Sequence, residues 1–466
     1  MASEFAISCR DGKLPGEVMT SVAQRMVDVL GIAVAAIELD TSHAVVDFAC
    51  ATGGREEATA IGVTNRLPAT QAAFVNGVLA HSLDYDDTHL PSVLHPSASV
   101  VPAALASAEL VGASAAEAMR AAAAGIEICV RLGMVGFDPA TGTNNYFERG
   151  QHATSICGTV GSAVAAGLMV GLDADQLLSA MGIAASMGAG IIEANRTGGT
   201  EKRLHCGWAA HAGVTAAQLA QRGITGPPTA FEGRFGFFEA WLSGSTLNLE
   251  AFGEGLGESW ELPGIFFKPY PANHFTHAGI DCAISLRNAG LRPEDVEHAE
   301  LGVATAPART IGEPADIKRT PETGYQAQFS GPYTIAAALI GGSGLGLGLR
   351  DFTDELARDP RRRAVMAKVS VVPDARCDAI FPYQFPAVLR VKTIDGRELH
   401  AEALANRGGP DAPLSRDDLA TKFHDNVERR LAPTTSDQLL HRLLREVGPD
   451  TFSVEDLLDP LRNLQQ

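Results

Sequence analysis

The chain has 466 residues, 45% hydrophobic and 20% charged, which excludes a disordered protein and exceeds one ordinary core, so two domains are expected. A formal net charge of −18 leaves no basic surplus for phosphates and excludes a nucleic-acid partner. Seven scattered cysteines without a Cys-x-x-Cys pair exclude a disulfide framework or a cysteine-built metal centre, and fit reduced thiols in the cytoplasm.

In chain order, the N-terminus lacks a basic segment followed by an apolar one, so no signal peptide is read. From about Gly16 to Gly223 helical patterns follow one another. One spans Ala69 to Leu83 and runs into His81-Ser-Leu-Asp-Tyr-Asp-Asp-Thr-His89, then His95-Pro-Ser97. Another spans Val101 to Leu110. Ser114-Ala-Ala-Glu117 has the form of a capping box and opens a helix to about Leu132; Asp173 to Gln176 repeats that logic. Further helices are predicted at Ser155 to Val170 and Trp208 to Gln221.

The texture changes near Phe266. Leu301 to Thr305 and Val369 to Val372 are short β-type runs, and Pro386 to Ile394, Asp395-Gly396 and Arg397 to Ala403 read as a hairpin. Helices are predicted near His277 to Asn288 and Pro332 to Ile340. The most apolar run, Tyr333 to Leu349, is broken by five glycines and is too short to span a membrane, so no membrane association is expected. The glycine-rich Gly341 to Gly348 follows a helix rather than a strand and reads as a helix exit, not a nucleotide loop. The expected fold is mainly α: an all-helical domain over 1–266 and 405–466, and an α+β domain over 267–404.

Polar clusters stand out against this apolar background. If the first helix continues one turn, His81, Asp84 and Thr88 share a face, although three carboxylates at a helix C-terminus oppose its dipole. Asp84-Tyr-Asp-Asp-Thr88 also matches the acid motif of class II terpene cyclases, but three tryptophans do not furnish an aromatic, carbocation-stabilising pocket. Arg149-Gly-Gln-His152 precedes a helix, where an anion is welcome. Lys202-Arg-Leu-His205 gathers three cationic side-chain types in one loop of an acidic protein. Lys268, between Phe267 and Pro269, is in a setting that suits a general base. Tyr333 opens an apolar helix and reads equally well as core. No P-loop, Gly-x-Ser-x-Gly or His-Glu-x-x-His occurs, and no metal or organic cofactor is expected.

Together, His81-Ser-Leu-Asp-Tyr-Asp-Asp-Thr with His95-Pro-Ser, Gly150-Gln-His-Ala-Thr, Lys202-Arg-Leu-His-Cys-Gly, Ile224-Thr-Gly-Pro and Phe267-Lys-Pro-Tyr-Pro resemble the MmgE/PrpD family along nearly the whole chain. That family includes 2-methylcitrate dehydratase, cis-aconitate decarboxylase and iminodisuccinate epimerase. The resemblance implies a homodimer, a small polycarboxylate substrate, and site roles for Asp84, Thr88, His95, His152, Lys202, Lys268 and Tyr333. Length and texture look most like the epimerase branch, which implies proton transfer at the carbon next to a carboxylate. In that reading Lys268 and His152 act on protons, and Tyr146, His81 and Asp84 are candidates for a second base. Thr88, His95, Lys202, Arg149 and Tyr333 would hold the substrate.

Overall fold

The computed structural model describes residues 1–194, 199–445 and 452–464. Contacts divide the chain into two compact units, Met1–Ile265 with Asn426–Gln466, and Phe266–Asp425. The return to the first unit thus falls at Asn426 rather than near residue 405. It lies inside helix Arg416–Val427, whose period carries the chain across without a linker.

The first unit is built from α1 (Ala2–Asp11), α2 (Gly16–Ala36), α3 (Asp40–Thr52), α4 (Ala69–His81), α5 (Ser97–Val111), α6 (Ala115–Val135), α7 (Asn145–Glu148), α8 (Ala153–Met169), α9 (Ala174–Met187) and α10 (Leu204–Gln221). Both capping boxes form: Ser114 with Glu117 opens α6, and Asp173 with Gln176 opens α9. The unit is not purely helical, because a two-residue antiparallel pair joins Phe137–Asp138 (β1) to Thr143–Asn144 (β2).

α8 lies at the centre, against α5, α6, α9 and α10, and is buried along almost its whole length. Small side chains allow that crowding. A Cβ on Gly77 of α4 would lie 2.8 Å from the Gly207 Cα and 2.9 Å from the Cys206 carbonyl oxygen of α10, so these two helices cross nearly backbone to backbone. α2 is long and apolar enough to cross a membrane, yet it is mostly buried inside the unit and carries buried Arg25 and Asp28, as a core helix does.

The second unit holds a four-stranded sheet in the order β4 (Val369–Pro373), β3 (Val296–Val303), β5 (Ala387–Thr393), β6 (Glu398–Ala403). β3 and β4 are parallel and the other pairs antiparallel. The β5–β6 hairpin pairs Ala387 with Ala403 and Lys392 with Glu398, and Gly396 takes the left-handed conformation (φ 86°) that the Asp-Gly turn demands. Helices α11 (His277–Asn288) and α12 (Gly331–Ile340) pack on one another and on this sheet. After α12 the glycine-rich segment is indeed a helix exit. It folds back so that the amides of Ser343 and Gly348 donate to the buried Asp351 carboxylate at 2.8 and 2.9 Å.

Candidate functional site

The close crossing of α4 and α10 determines which polar groups meet. His81 is the last residue of α4, one turn beyond Gly77, and Cys206 and His205 lie in the first turn of α10. The helix stops at His81: Asp84 follows in the left-handed region (φ 51°), so His81, Asp84 and Thr88 do not share a helical face as the spacing suggested. The 82–96 loop is held instead by a long-range pair. The buried Asp87 carboxylate accepts from Arg25 of α2 at 2.8 Å and from the Ser97 hydroxyl at 2.5 Å. Arg25 also donates to the carbonyls of Leu262 and Ile265.

Four imidazoles gather around this loop and the first turns of α8 and α10. Ring centroids are 5.3 Å apart for His81 and His95, 5.7 Å for His81 and His152, and 4.8 Å for His152 and His205. Three hydrogen bonds lock them to the scaffold. The Thr154 hydroxyl accepts from the His95 amide, the Ser155 hydroxyl donates to the His205 carbonyl, and the His152 amide donates to the Gly190 carbonyl. Partner chemistry sets two tautomers: His81 Nδ1–H donates to Asp86 Oδ2 at 2.8 Å, and His95 Nδ1–H to the Asp87 carbonyl at 2.6 Å. Thr88 Oγ1 lies 3.2 Å from that same His95 nitrogen.

The His152–His205 pair is the most informative contact. Their Nδ1 atoms are 2.7 Å apart, so one carries the proton and the other accepts it. Burial, with His81 and Lys202 as neighbouring charges, holds the His152 imidazole well below its usual range and lowers His205 to about 4. Two neutral rings sharing one Nδ1 proton must be complementary tautomers. One presents a bare Nε2 and the other an Nε2–H, a base beside an acid.

Lys202 reaches Asp84 at 3.4 Å, with both side chains about one-fifth exposed (20% and 17%). His152 is the residue that precedes α8, so the N-terminus of that helix adds partial positive charge for an anion. α10 instead continues from a 3-10 turn, and its first amide, Leu204, already donates to the Glu201 and Lys202 carbonyls.

The structure therefore brings together His81, Asp84, Thr88, His95, His152 and Lys202, and adds His205, Asp86 and Cys206. It does not bring in Tyr146 or Arg149. Tyr146 is fully buried, its ring covers Gly136, and its hydroxyl lies against the Cys157 thiol, where burial pushes the phenol well above its usual range. A phenol so held is a poor proton shuttle. Arg149 is exposed and donates to the carbonyls of Ser243 and Trp241, so it ties down a loop.

The remaining two expected residues belong to the second unit. Tyr333 is fully buried, its hydroxyl donates to the Asp351 carbonyl, and Arg362 lies over its ring, which makes it a core residue instead of a substrate contact. Lys268 is 2% exposed and is followed by Tyr270, whose hydroxyl donates to Asp281 at 2.6 Å. Two cavities of the first unit lie elsewhere. One of about 540 Å³ is lined by His43, Arg430 and Arg462, but its arginines are committed to Glu38 and Asp459. Another of about 550 Å³ is lined by Gly188, Phe235 and Trp241. Neither gathers groups able to exchange a proton as the histidine cluster does.

Comparison with known proteins agrees with the motifs. A model of the MmgE/PrpD N-terminal domain matches residues 2–250, and one of the MmgE/PrpD C-terminal domain matches residues 270–446. Cis-aconitate decarboxylase of Mus musculus is 30% identical over 436 residues, covering 90% of this chain and 84% of that protein. The Homo sapiens cis-aconitate decarboxylase is 30% identical over 446 residues, covering 92% and 87%. The 2-methylcitrate dehydratase of Salmonella typhimurium is 26% identical over 327 residues, covering 67% and 64%. These relatives are lyases by name, and none of the three supports the epimerase branch over the others. With a helical unit and a mixed unit each matched by its own family model, the chain belongs to the MmgE/PrpD family.

Proposed function

We propose that this protein is a lyase acting on a small polycarboxylate of the cis-aconitate or 2-methylcitrate kind. The observation that carries the reading is the neutral His152–His205 pair, set beside Lys202 and the N-terminus of α8. The named relatives favour decarboxylation or dehydration.

Both reactions pass through negative charge on the carbon next to a carboxylate. In decarboxylation the C–C bond electrons remain on that carbon as carbon dioxide leaves, and a proton must then be delivered to the allyl-like anion. In dehydration a base removes the proton and an acid protonates the departing hydroxyl. Each needs a base or acid at short range and fixed positive charge for the carboxylate oxygens. Lys202 and the N-terminus of α8 are assigned the carboxylates, and the His152–His205 pair the proton transfers. A small polycarboxylate anion in the cluster would raise the imidazole pKa values, so binding takes up protons.

A second reading, epimerisation of a substrate such as iminodisuccinate, draws on the same pair, because complementary tautomers supply the opposed base and acid that a two-base transfer needs. Proton NMR in deuterium oxide with cis-aconitate, 2-methylcitrate and iminodisuccinate distinguishes them. A lyase yields a new alkene product from one of the first two. Deuterium entry into iminodisuccinate with no alkene would replace the lyase reading with the epimerase one.

A further inference from the structure

The four imidazoles differ in what holds their protons. His95 Nδ1–H donates to a neutral carbonyl, and His152 and His205 hold one another. His81 donates instead to a carboxylate, Asp86 Oδ2 at 2.8 Å, and both residues are buried. That bond fixes the His81 ring and leaves the lone pair on Nε2. Nε2 is buried, with His81 3% exposed, and has no hydrogen-bond partner among the described residues. A buried polar atom usually has one, so the unfilled acceptor is a place for a proton. The other groups facing His81 are the rings of His95 and His152, at centroid distances of 5.3 and 5.7 Å, and the Cys206 thiol of α10, within 4.8 Å. Burial keeps that thiol protonated. His205 and Lys202 complete the surrounding charges; Lys202 is answered by Asp84, and the neighbouring Asp87 by Arg25.

We propose that His81 and Asp86 form the proton store of the cluster: the first proton that the four rings gain forms an N–H bond at His81 Nε2, and Asp86 supplies the counter-charge. A carboxylate beside an imidazole favours its charged form, and the low dielectric of a buried site strengthens that attraction. The same positive charge opposes a second proton nearby. After burial, His81 is the largest influence holding the His152 and His205 imidazoles below their ordinary range. The pair therefore stays neutral, one ring a base and the other an acid, while a proton is held one ring away. Asp86 acts through His81 and is a positioning residue. The part this plays in turnover rests on the lyase reading above, whereas the order of protonation does not.

The test follows the ring nitrogens of the full chain, labelled with ¹⁵N at histidine, by NMR through an acid titration without ligand. Signals are assigned by their loss in His81→Gln, His95→Gln, His152→Gln and His205→Gln. His81 should be the first of the four rings to gain its second proton. Asp86→Asn should lower the pH at which it does so by at least about one unit, and His43→Gln, which lines a separate cavity, should leave the order unchanged. The pH profile of kcat/KM supplies a second readout. In His81→Gln the acid limb should move to higher pH, because His152 and His205 then take up protons more readily; a purely structural role would lower kcat/KM at every pH and leave the limb in place. Circular dichroism checks the fold of each variant, and the wild-type order decides the question if Asp86→Asn does not fold. Protonation of His152 or His205 before His81, or an unaltered His81 titration in folded Asp86→Asn, would overturn the proposal. Absence of turnover with cis-aconitate and 2-methylcitrate, with His81 still first, would remove the lyase reading and leave the proton store standing.

Discussion

Removal of the Asp87 carboxylate gives the sharpest energetic consequence of the loop architecture. Both partners of the Arg25–Asp87 pair are 1% exposed at the side chain, and the contact is 2.8 Å. Asp87→Ala leaves a buried guanidinium that cannot lose its proton and that has lost its directly bonded carboxylate, while the carbonyls of Leu262 and Ile265 still accept from it. Breaking a buried pair from one side costs about 3–5 kcal/mol. For a unit of this size that lowers the thermal midpoint by roughly 5–8 °C. Arg25→Met is milder, about 1–3 kcal/mol, because the stranded Asp87 can take up a proton and keep Ser97 as its partner.

The pH dependence separates the two variants. Burial already raises the Asp87 pKa above the ordinary carboxylate value, and Arg25 opposes that rise. Without Arg25 the folded carboxyl holds its proton at a pH where the unfolded one has released it. Stability of Arg25→Met is therefore highest in acid and declines as pH rises between the unfolded and folded pKa values. Thermal unfolding followed by circular dichroism from acid to neutral pH measures both effects. The His95 ring hangs on the Asp87 carbonyl, so Asp87→Ala should also lower kcat/KM. Midpoints of both variants within about 1 kcal/mol of wild type at neutral pH would refute the anchoring role.

Other consequences can be checked separately. His152 and His205 are held below their ordinary range, so their contribution to stability is complete above about pH 6.5 and is lost as pH falls towards about 4; urea unfolding should show this slope, and His205→Gln should flatten it. Tyr146→Phe should change kcat by less than about threefold, since its hydroxyl faces Cys157, and a hundredfold loss would return it to the reaction.

Local sequence signals were reliable where local physics decides. Ser114 with Glu117 and Asp173 with Gln176 cap their helices as the spacing implies, and Asp395-Gly396 turns its hairpin. The 82–96 loop was not legible, because its path depends on Arg25, 62 residues before Asp87. His205 carries the contact that makes His152 chemically interesting, yet its partner is 53 residues away. Its place in Lys202-Arg-Leu-His205 was the available signal. Tyr146 and Arg149 attracted attention by nearness to His152 in sequence, but the short α7 and the turn at Gly150 direct them elsewhere. Tyr333 shows the converse: an apolar helix start with a phenol is well explained by one carbonyl partner, Asp351.

Calorimetric titration with cis-aconitate, comparing wild type, Lys202→Ala, His152→Gln and Arg149→Ala, tests most directly whether the histidine–lysine cluster is the polycarboxylate site. The account predicts that Lys202→Ala and His152→Gln each weaken binding by at least about tenfold, an energy of ~1.4 kcal/mol, while Arg149→Ala binds as wild type does. It also predicts net proton uptake by the wild-type protein, seen as a dependence of the heat on the buffer's ionisation enthalpy. Unchanged affinity in Lys202→Ala and His152→Gln, with the loss falling on Arg149→Ala, would contradict it.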